Sequence, residues 1–397
     1  MSFKSKIRNS SRLKFMVTTF SDLEKPSGFS NNVYMDLEEM LNRGATVILS
    51  CKKYNPKYIR NGVEVILSKN DITLLIKTLW YLLNNSVDVI WINSNRIHYG
   101  LILAIFGRLC KKKLKIVYRA QDPVAYMYKL LYSHDLLKSF LGSLIAEVCE
   151  SLVAKFSDII IVIGNTMKRN FFHKNNRKLV LYNLGGVYNL ISKERISNET
   201  FLKKRNKKNK YLTLGYMGVV QRHVRGLEFQ IEVLKKYLEK YPKSPIKFLI
   251  LGNGDQKYLA YFQGLIKNVN NIEIISGPIS NEELKKLLDK IDVAIMEPLS
   301  IHLPSKFFEY ILFGKIIIIN KNSKDMISIL KKSRYFFITI NFNNINIFLK
   351  KIYKITKNLD DLQNIIEKNR KIGKKIVKRL INKNIITYSQ IFSLLKY

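Results

Sequence analysis

Ser305, Lys306 and Glu309 stand close together in the segment LPSKFFEYILFGKIIIIN, Leu303 to Asn320. A hydroxyl and an ammonium at the first turn of a helix, together with its free amides, can receive an anion. A carboxylate one turn further in can accept hydrogen bonds from sugar hydroxyls. The combination suits a nucleotide diphosphate sugar. The elements that must position these groups are legible around them. Pro304 precedes Ser305, a favoured N-cap residue, and Phe307, Tyr310 and Ile311 recur at helical spacing until Gly314 stops the helix. Ile316 to Ile319 is an unbroken β-branched run, as in a strand buried on both faces of a parallel sheet. The helix is therefore expected to start near the carboxyl edge of a sheet.

PSKFFEYILFGKIIIIN resembles the donor-site motif of GT-B glycosyltransferases, in particular glycosyltransferase family 4. The resemblance extends upstream, in the family's order, through YLTLGYMGVVQRHVRGLEF, KFLILGNGDQKYL and NIEIISGPISNEELKKLLDKIDVAIMEP, and is best over residues 211 to 330. The first half matches more loosely, through an early SGFS loop, the stretch SDIIIVIGNTMKRNF and a YNLGG segment similar to the family's hinge between domains. The resemblance implies an α/β protein of two doubly wound, Rossmann-like domains facing across a cleft, with C-terminal helices packing back on the first domain. It also implies that Glu309 binds the donor ribose.

The loop between Gly218, which ends a strand, and Gly226, which opens a helix, can bring backbone amides close to phosphate. By resemblance Arg225 contacts the diphosphate, and Arg222 is a second candidate, since a planar guanidinium can hold two phosphate oxygens. The family usually carries a further Arg directly after the first Gly, where this chain has Val219. Gly252 and Gly254 in LGNGDQ form a short Gly-x-Gly turn, which by itself is a weak signal. The resemblance places it beside the donor, and Gly277 near the nucleobase. Family members often carry a second glutamate seven residues before the first, whereas here Glu297 precedes Glu309 by eleven, which puts Glu297 in question as a sugar contact.

In the first half, VYRAQDP sets Arg119 and Asp122 just beyond a strand. Asp122 is a candidate general base on an acceptor hydroxyl, or else a turn residue opening a helix. His98, at the start of a helix, is either an acceptor-site residue or a capping or core histidine. Ser27 and Gly28 follow the first strand, where the family's Gly-rich loop approaches donor phosphate or acceptor; a plain turn is the alternative. Arg119 is grouped with them as a phosphate or acceptor contact. His134, His173, His223 and His302 show no metal-ligand spacing and no Asp-x-Asp is present, so no metal is implied. The leaving diphosphate would be neutralised by basic side chains and helix amides. No cofactor is expected beyond the nucleotide sugar as co-substrate, with UDP as the expected carrier.

Strand and helix patterns alternate along the whole chain, as parallel sheets require. Its 397 residues suit two domains, and a hydrophobic fraction of 47% is enough to bury both cores. The polar run KERISNETFLKKRNKKNK marks a surface connection. The expected division is residues 1–195 for the acceptor, 211–360 for the donor and 361–397 as basic C-terminal helices. Cys51, Cys110 and Cys149 are widely spaced, which argues against a disulfide framework and fits a reducing cytoplasm. The basic start lacks the apolar core of a signal peptide, and no run reaches the roughly 18 apolar residues of a spanning helix.

The net charge of +38 reflects compositional bias, attraction to an anionic surface, or both. Residues 350–397 hold 13 Lys or Arg against 3 Asp or Glu. There Ile372, Ile376 and Leu380 make an apolar stripe that can lie on a leaflet or, as expected, pack on the protein. The leading expectation is a cytoplasmic glycosyltransferase, peripheral on the inner face of the membrane, that transfers a sugar to a glycan or lipid-linked acceptor with retention. Partners are the nucleotide sugar, the acceptor and an anionic membrane surface, with no nucleic acid. The alternatives are an inverting, glucuronosyltransferase-like enzyme using Asp122 as base, a non-catalytic module binding polyanions, and a glycosyltransferase-like subunit without activity.

Overall fold

The computed structural model describes residues 12–24, 28–93, 96–111, 113–120, 124–133, 135–171, 179–182, 211–220, 226–277, 281–296, 303–342, 344–357 and 359–395. It divides into two compact units, residues 1–186 with 384–397, and residues 187–383.

Unit 1 runs through β1 (Lys14–Thr18), β2 (Asp22–Leu23), α1 (Gly28–Asn42), β3 (Thr46–Cys51), β4 (Lys53–Tyr54), β5 (Val63–Leu67), α2 (Asp71–Asn84) and β6 (Val89–Asn93). It continues with α3 (Ile97–Cys110), β7 (Lys115–Ala120), α4 (Val124–Leu131), α5 (Leu136–Phe156), β8 (Ile159–Val162), α6 (Asn165–Phe171) and β9 (Leu179–Tyr182). The helical tract from Val124 to Phe156 is two helices. Asp135 starts the second by accepting the Lys138 amide at 3.0 Å. The main sheet is parallel in the order β5-β3-β1-β6-β7-β8-β9.

Unit 2 contains β10 (Leu212–Met217), α7 (Leu227–Lys240), β11 (Ile246–Leu251), α8 (Gln256–Ile266), β12 (Ile272–Ile275), α9 (Asn281–Lys290) and β13 (Val293–Ile295). After these come α10 (Ser305–Leu312), β14 (Ile316–Asn320), α11 (Lys324–Lys332), β15 (Phe337–Ile340), α12 (Ile345–Lys357) and α13 (Leu359–Leu395). Its sheet is parallel in the order β12-β11-β10-β13-β14-β15. In both units the strand order reverses beside the first strand, between β1 and β6 and between β10 and β13. Such a reversal opens a crevice at the carboxyl ends of the strands, the usual ligand position in doubly wound sheets.

The sheets are apolar on both faces because helices cover them: β6 and β13 are buried throughout, and β14 all but its last residue. One local device recurs at their amino ends. Asp88, Asp158 and Asp292 each precede a strand and accept the backbone N–H of a residue in the neighbouring strand, from Lys14 at 2.7 Å, Ile116 at 2.7 Å and Thr213 at 2.9 Å. Each carboxylate satisfies a donor at the ladder's start and so fixes the register.

The C-terminal region is one helix, α13. Its residues through Lys383 belong to unit 2 and those from Asn384 to unit 1. The stripe seen in the sequence packs inward: Ile376 and Leu380 are buried and Ile372 is half-buried, while Lys371, Lys375, Lys378 and Arg379 are exposed. Among the described residues, no helix is long and apolar enough to cross a membrane.

Candidate functional site

In unit 2 the carboxyl ends of three adjacent strands are sewn together. Beyond the last ladder pair, the Gly218 amide donates to Leu251 O at 2.9 Å, the Val220 amide to Asn253 O at 2.9 Å, and the Gly252 amide to Ile275 O at 3.1 Å. Asn253 then accepts the Gly277 amide on its side-chain oxygen at 2.9 Å. The glycine at position 252 is a matter of close approach, since a Cβ there would overlap the carbonyl oxygen of Gly218. Gly254 lies in the same way against the carbonyl of Val220. The turn that the sequence offers as a weak motif is therefore a backbone-to-backbone contact at the sheet edge.

Onto this edge comes Lys306, from the first turn of α10. Its ammonium stands 4.8 Å from the centroid of the Tyr216 ring, and a Cβ on Gly218 would meet it at 2.5 Å and the Tyr216 hydroxyl at 2.8 Å. Tyr216 in turn donates to Val219 O at 3.1 Å. A nearly buried ammonium, held over an aromatic face beside a bare backbone, is a fixed positive point at the β10 end of the switch. Glu309, one turn further along α10, keeps part of its surface open. Burial pushes its carboxyl up to about 7, against the opposing pull of Lys306.

α10 is held in register at its far end. Gly314 takes a left-handed φ of 72°, where other residues are strained, and a Cβ there would strike Ile366 and Arg370 of α13. Gly373 on α13 lies just as tightly against the Ile311 carbonyl. One expectation is corrected at the near end: Pro304 occupies the N-cap position and Ser305 is the first helical residue. Proline's fixed φ suits entry to the helix; it makes no side-chain cap bond, and its backbone carbonyl accepts the Phe307 amide at 3.0 Å.

Gly218, Gly252, Gly254, Gly277, Lys306 and Glu309 are thus gathered on one edge of unit 2. Arg222, Arg225 and Glu297 lie outside the described residues, as does the side chain of Ser305. Val219, the departure from the family pattern, is exposed there. Sequence reasoning passed over Tyr216 and Asn253. Tyr216 is a polar-tipped aromatic in a strand otherwise of core residues, and Asn253 is the residue between the two glycines; those were the available signals. A recess of about 450 Å³ lined by Tyr237, Tyr241, Pro245 and Tyr353 lies at the amino end of β11, away from this edge.

In unit 1, Ser27 and Asp122 lie outside the described residues, and Gly28 is the first residue of α1. His98 is exposed in the first turn of α3, just past the carboxyl end of β6 at the switch. Partial burial and the charge of Arg96 hold its imidazole below its ordinary range, against Asp71, which favours the neutral base near pH 7. Arg119 is not a surface anion contact. It is fully buried in β7, ion-paired with Asp36 of α1, whose carboxylate also accepts the Tyr388 hydroxyl from α13. Period-2 alternation is the reason: Tyr118 and Ala120 join the core cluster under α3 and α5, so Arg119 must point to the other face, which α1 covers. Among the described residues, no group of three His, Cys, Asp or Glu is placed to hold a metal ion.

Residues 197–372 match the family model of glycosyl transferases group 1. No curated protein matches the chain at a significant level. Solved structures match nearly end to end. Sucrose-phosphate synthase from Thermosynechococcus elongatus superposes with a TM-score of 0.65 at 12% identity, over 97% of this chain and 99% of that one. A glycosyltransferase from Rickettsia africae gives 0.62 at 14% identity, over 97% and 99%. The trehalose-6-phosphate protein from E. coli bound with UDP-2-fluoro glucose gives 0.62 at 11% identity, over 96% and 99%. At these identities the likeness establishes the fold. Residues 197–372 thus match the group 1 glycosyl transferase family, within a chain of the two-domain GT-B fold.

Proposed function

We propose that this protein transfers a sugar from a nucleotide diphosphate sugar, with UDP as carrier, to a hydroxyl of a glycan or lipid-linked acceptor, retaining anomeric configuration. The observation that carries the reading is the meeting of Lys306, Tyr216 and Gly218 at the switch point of the unit that matches the family. In it the Lys306 ammonium and the α10 amides take up charge as the bond between the anomeric carbon and the diphosphate oxygen breaks. Glu309 accepts hydrogen bonds from the ribose hydroxyls, and Arg225 with Arg222 assists at the diphosphate. Gly252, Gly254 and Gly277 let donor and backbone approach closely. The acceptor oxygen bonds to the anomeric carbon on the face the diphosphate leaves, and its proton passes to the departing phosphate oxygen.

Unit 1 supplies the acceptor side in this reading, through Ser27, Gly28 and His98. Inversion through Asp122 as base is the competing outcome. The protein works in the cytoplasm against the inner leaflet, in assembly of a surface polysaccharide or glycolipid; the +38 charge supports attachment to an anionic surface. Incubation with a panel of nucleotide sugars, reading released nucleotide and the anomeric configuration of product by NMR, tests the whole reading. No turnover and no binding of any nucleotide sugar would sink it.

A further inference from the structure

Two helices of unit 1 carry apolar side chains on the wrong side for a soluble core. On α2 the core-facing residues are Leu74, Leu75, Thr78 and Leu82, yet Ile72, Ile76, Trp80 and Leu83 form a second stripe that is exposed, with Trp80 at 68%. On α5 Ser143, Ala146, Glu150, Val153 and Ala154 face inward, while Leu137, Phe140, Leu144, Ile145 and Val148 are exposed, Leu137 at 68% and Phe140 at 64%. Hydrophobic residues scattered singly on a surface need no explanation, but two stripes at helical spacing do. α2 packs beside α3, and α3 beside α5, so both stripes belong to one helical layer, to which exposed Leu109 at the end of α3 also belongs.

We propose that this layer is a membrane-docking face that seats unit 1 in the outer few ångströms of an anionic lipid leaflet. It deepens the surface attachment proposed above by naming the face that carries it, a different one from the basic tail, whose apolar stripe is already buried. Charge selects the occupant. Lys113, Lys138 and Lys155 are exposed on these helices and the turn after α3, and Lys129 on the adjoining α4, whereas Glu147 is the exposed carboxylate of α5. Bringing two copies of a chain of net charge +38 face to face sets like charges together, while an anionic leaflet offers opposite charge and an apolar interior at once. Trp80 on α2 and the leucines and Phe140 on α5 suit the headgroup and acyl boundary, where an aromatic ring meets both phases.

The two tryptophans make the test direct. Trp91 is fully buried in β6, so Trp80 is the reporter. Full-length protein is mixed with vesicles of phosphatidylglycerol and phosphatidylcholine, and with vesicles of phosphatidylcholine alone. The expected result is a blue shift of Trp80 emission and at least about tenfold stronger co-sedimentation with the anionic vesicles. The double variant Phe140→Ser, Ile145→Ser should lose about tenfold of that binding while keeping its far-UV circular dichroism and its affinity for UDP. Unchanged emission, equal sedimentation of the variant, or protection of Trp80 by concentration-dependent self-association without lipid would overturn the proposal. UDP binding is read in the same samples, so a failed membrane face and a failed donor site give separate signatures.

Discussion

The ammonium of Lys306 lies 4.8 Å from the centre of the Tyr216 ring, so a residue from the start of α10 is fixed over the last turn of backbone in β10. That places the fixed charge of unit 2 on the switch-point strand, beside a glycine whose missing side chain leaves it room. The pair explains why a strand residue and a helix residue 90 positions apart in the chain act as one site.

Lys306→Met keeps the length of the stem and removes the charge. It is expected to weaken UDP binding by about 1.5 to 3 kcal/mol while leaving binding of uridine nearly unchanged, because only the diphosphate carries the charge the lysine meets. Isothermal titration with both ligands decides; equal losses would mean the site had been disordered. Arg225→Ala should discriminate in the same way.

Glu309 gives the site a pH dependence. Its carboxyl titrates at about 7 through burial, so a donor whose ribose hydroxyls need the ionised form should bind more tightly as pH rises from 6 to 8. In Glu309→Gln that slope should flatten. Stability runs the other way. The folded value lies above the ordinary 4.5, so the unfolded chain releases this proton first; stability falls between those two values and the cost is complete above the upper one. At pH 8 Glu309→Gln should therefore raise the melting temperature, by a gain of at most about 3 kcal/mol. A variant less stable than wild type at pH 8 would contradict the assignment.

Two glycines separate packing from flexibility. Gly252→Ala must push the Gly218 carbonyl aside and is expected to abolish UDP binding and lower stability by about 1 to 3 kcal/mol. Gly264 in α8 meets nothing within 4 Å of a Cβ, so Gly264→Ala should stabilise by about 0.5 to 1 kcal/mol and leave binding alone. Thermal melts and titrations of both variants check the contrast.

The buried Asp36, Arg119 and Tyr388 cluster predicts a steep response to losing one partner. Arg119→Met leaves a carboxylate buried without its cation and should cost about 3 to 5 kcal/mol, whereas Tyr388→Phe should cost about 1 to 2 kcal/mol and loosen the end of α13. Denaturant melts give the first, and hydrogen exchange over residues 384–395 gives the second.

How much of this was written in the sequence differs between the two halves. In LPSKFFEYILFGKIIIIN the glycine stop and the buried strand follow from local chemistry, and the helix starts one residue earlier than Ser305 as N-cap would put it. Alternating strands and helices likewise determine parallel doubly wound sheets, because each apolar strand must be covered on two faces. Pairings across the fold were not legible. Nothing near Tyr216 in the chain indicates that Lys306 will lie over its ring, and nothing in LGNGDQ shows that its first glycine will press on the carbonyl of Gly218. Arg119 is the sharpest case. Its neighbours in VYRAQDP suggest an exposed loop contact, but strand alternation turned it toward α1, and Asp36 and Tyr388 were waiting there. The local sequence determines which face of an element is apolar; only the tertiary structure decides which distant side chain each polar group must find, since burial leaves a charge no stable alternative to a partner.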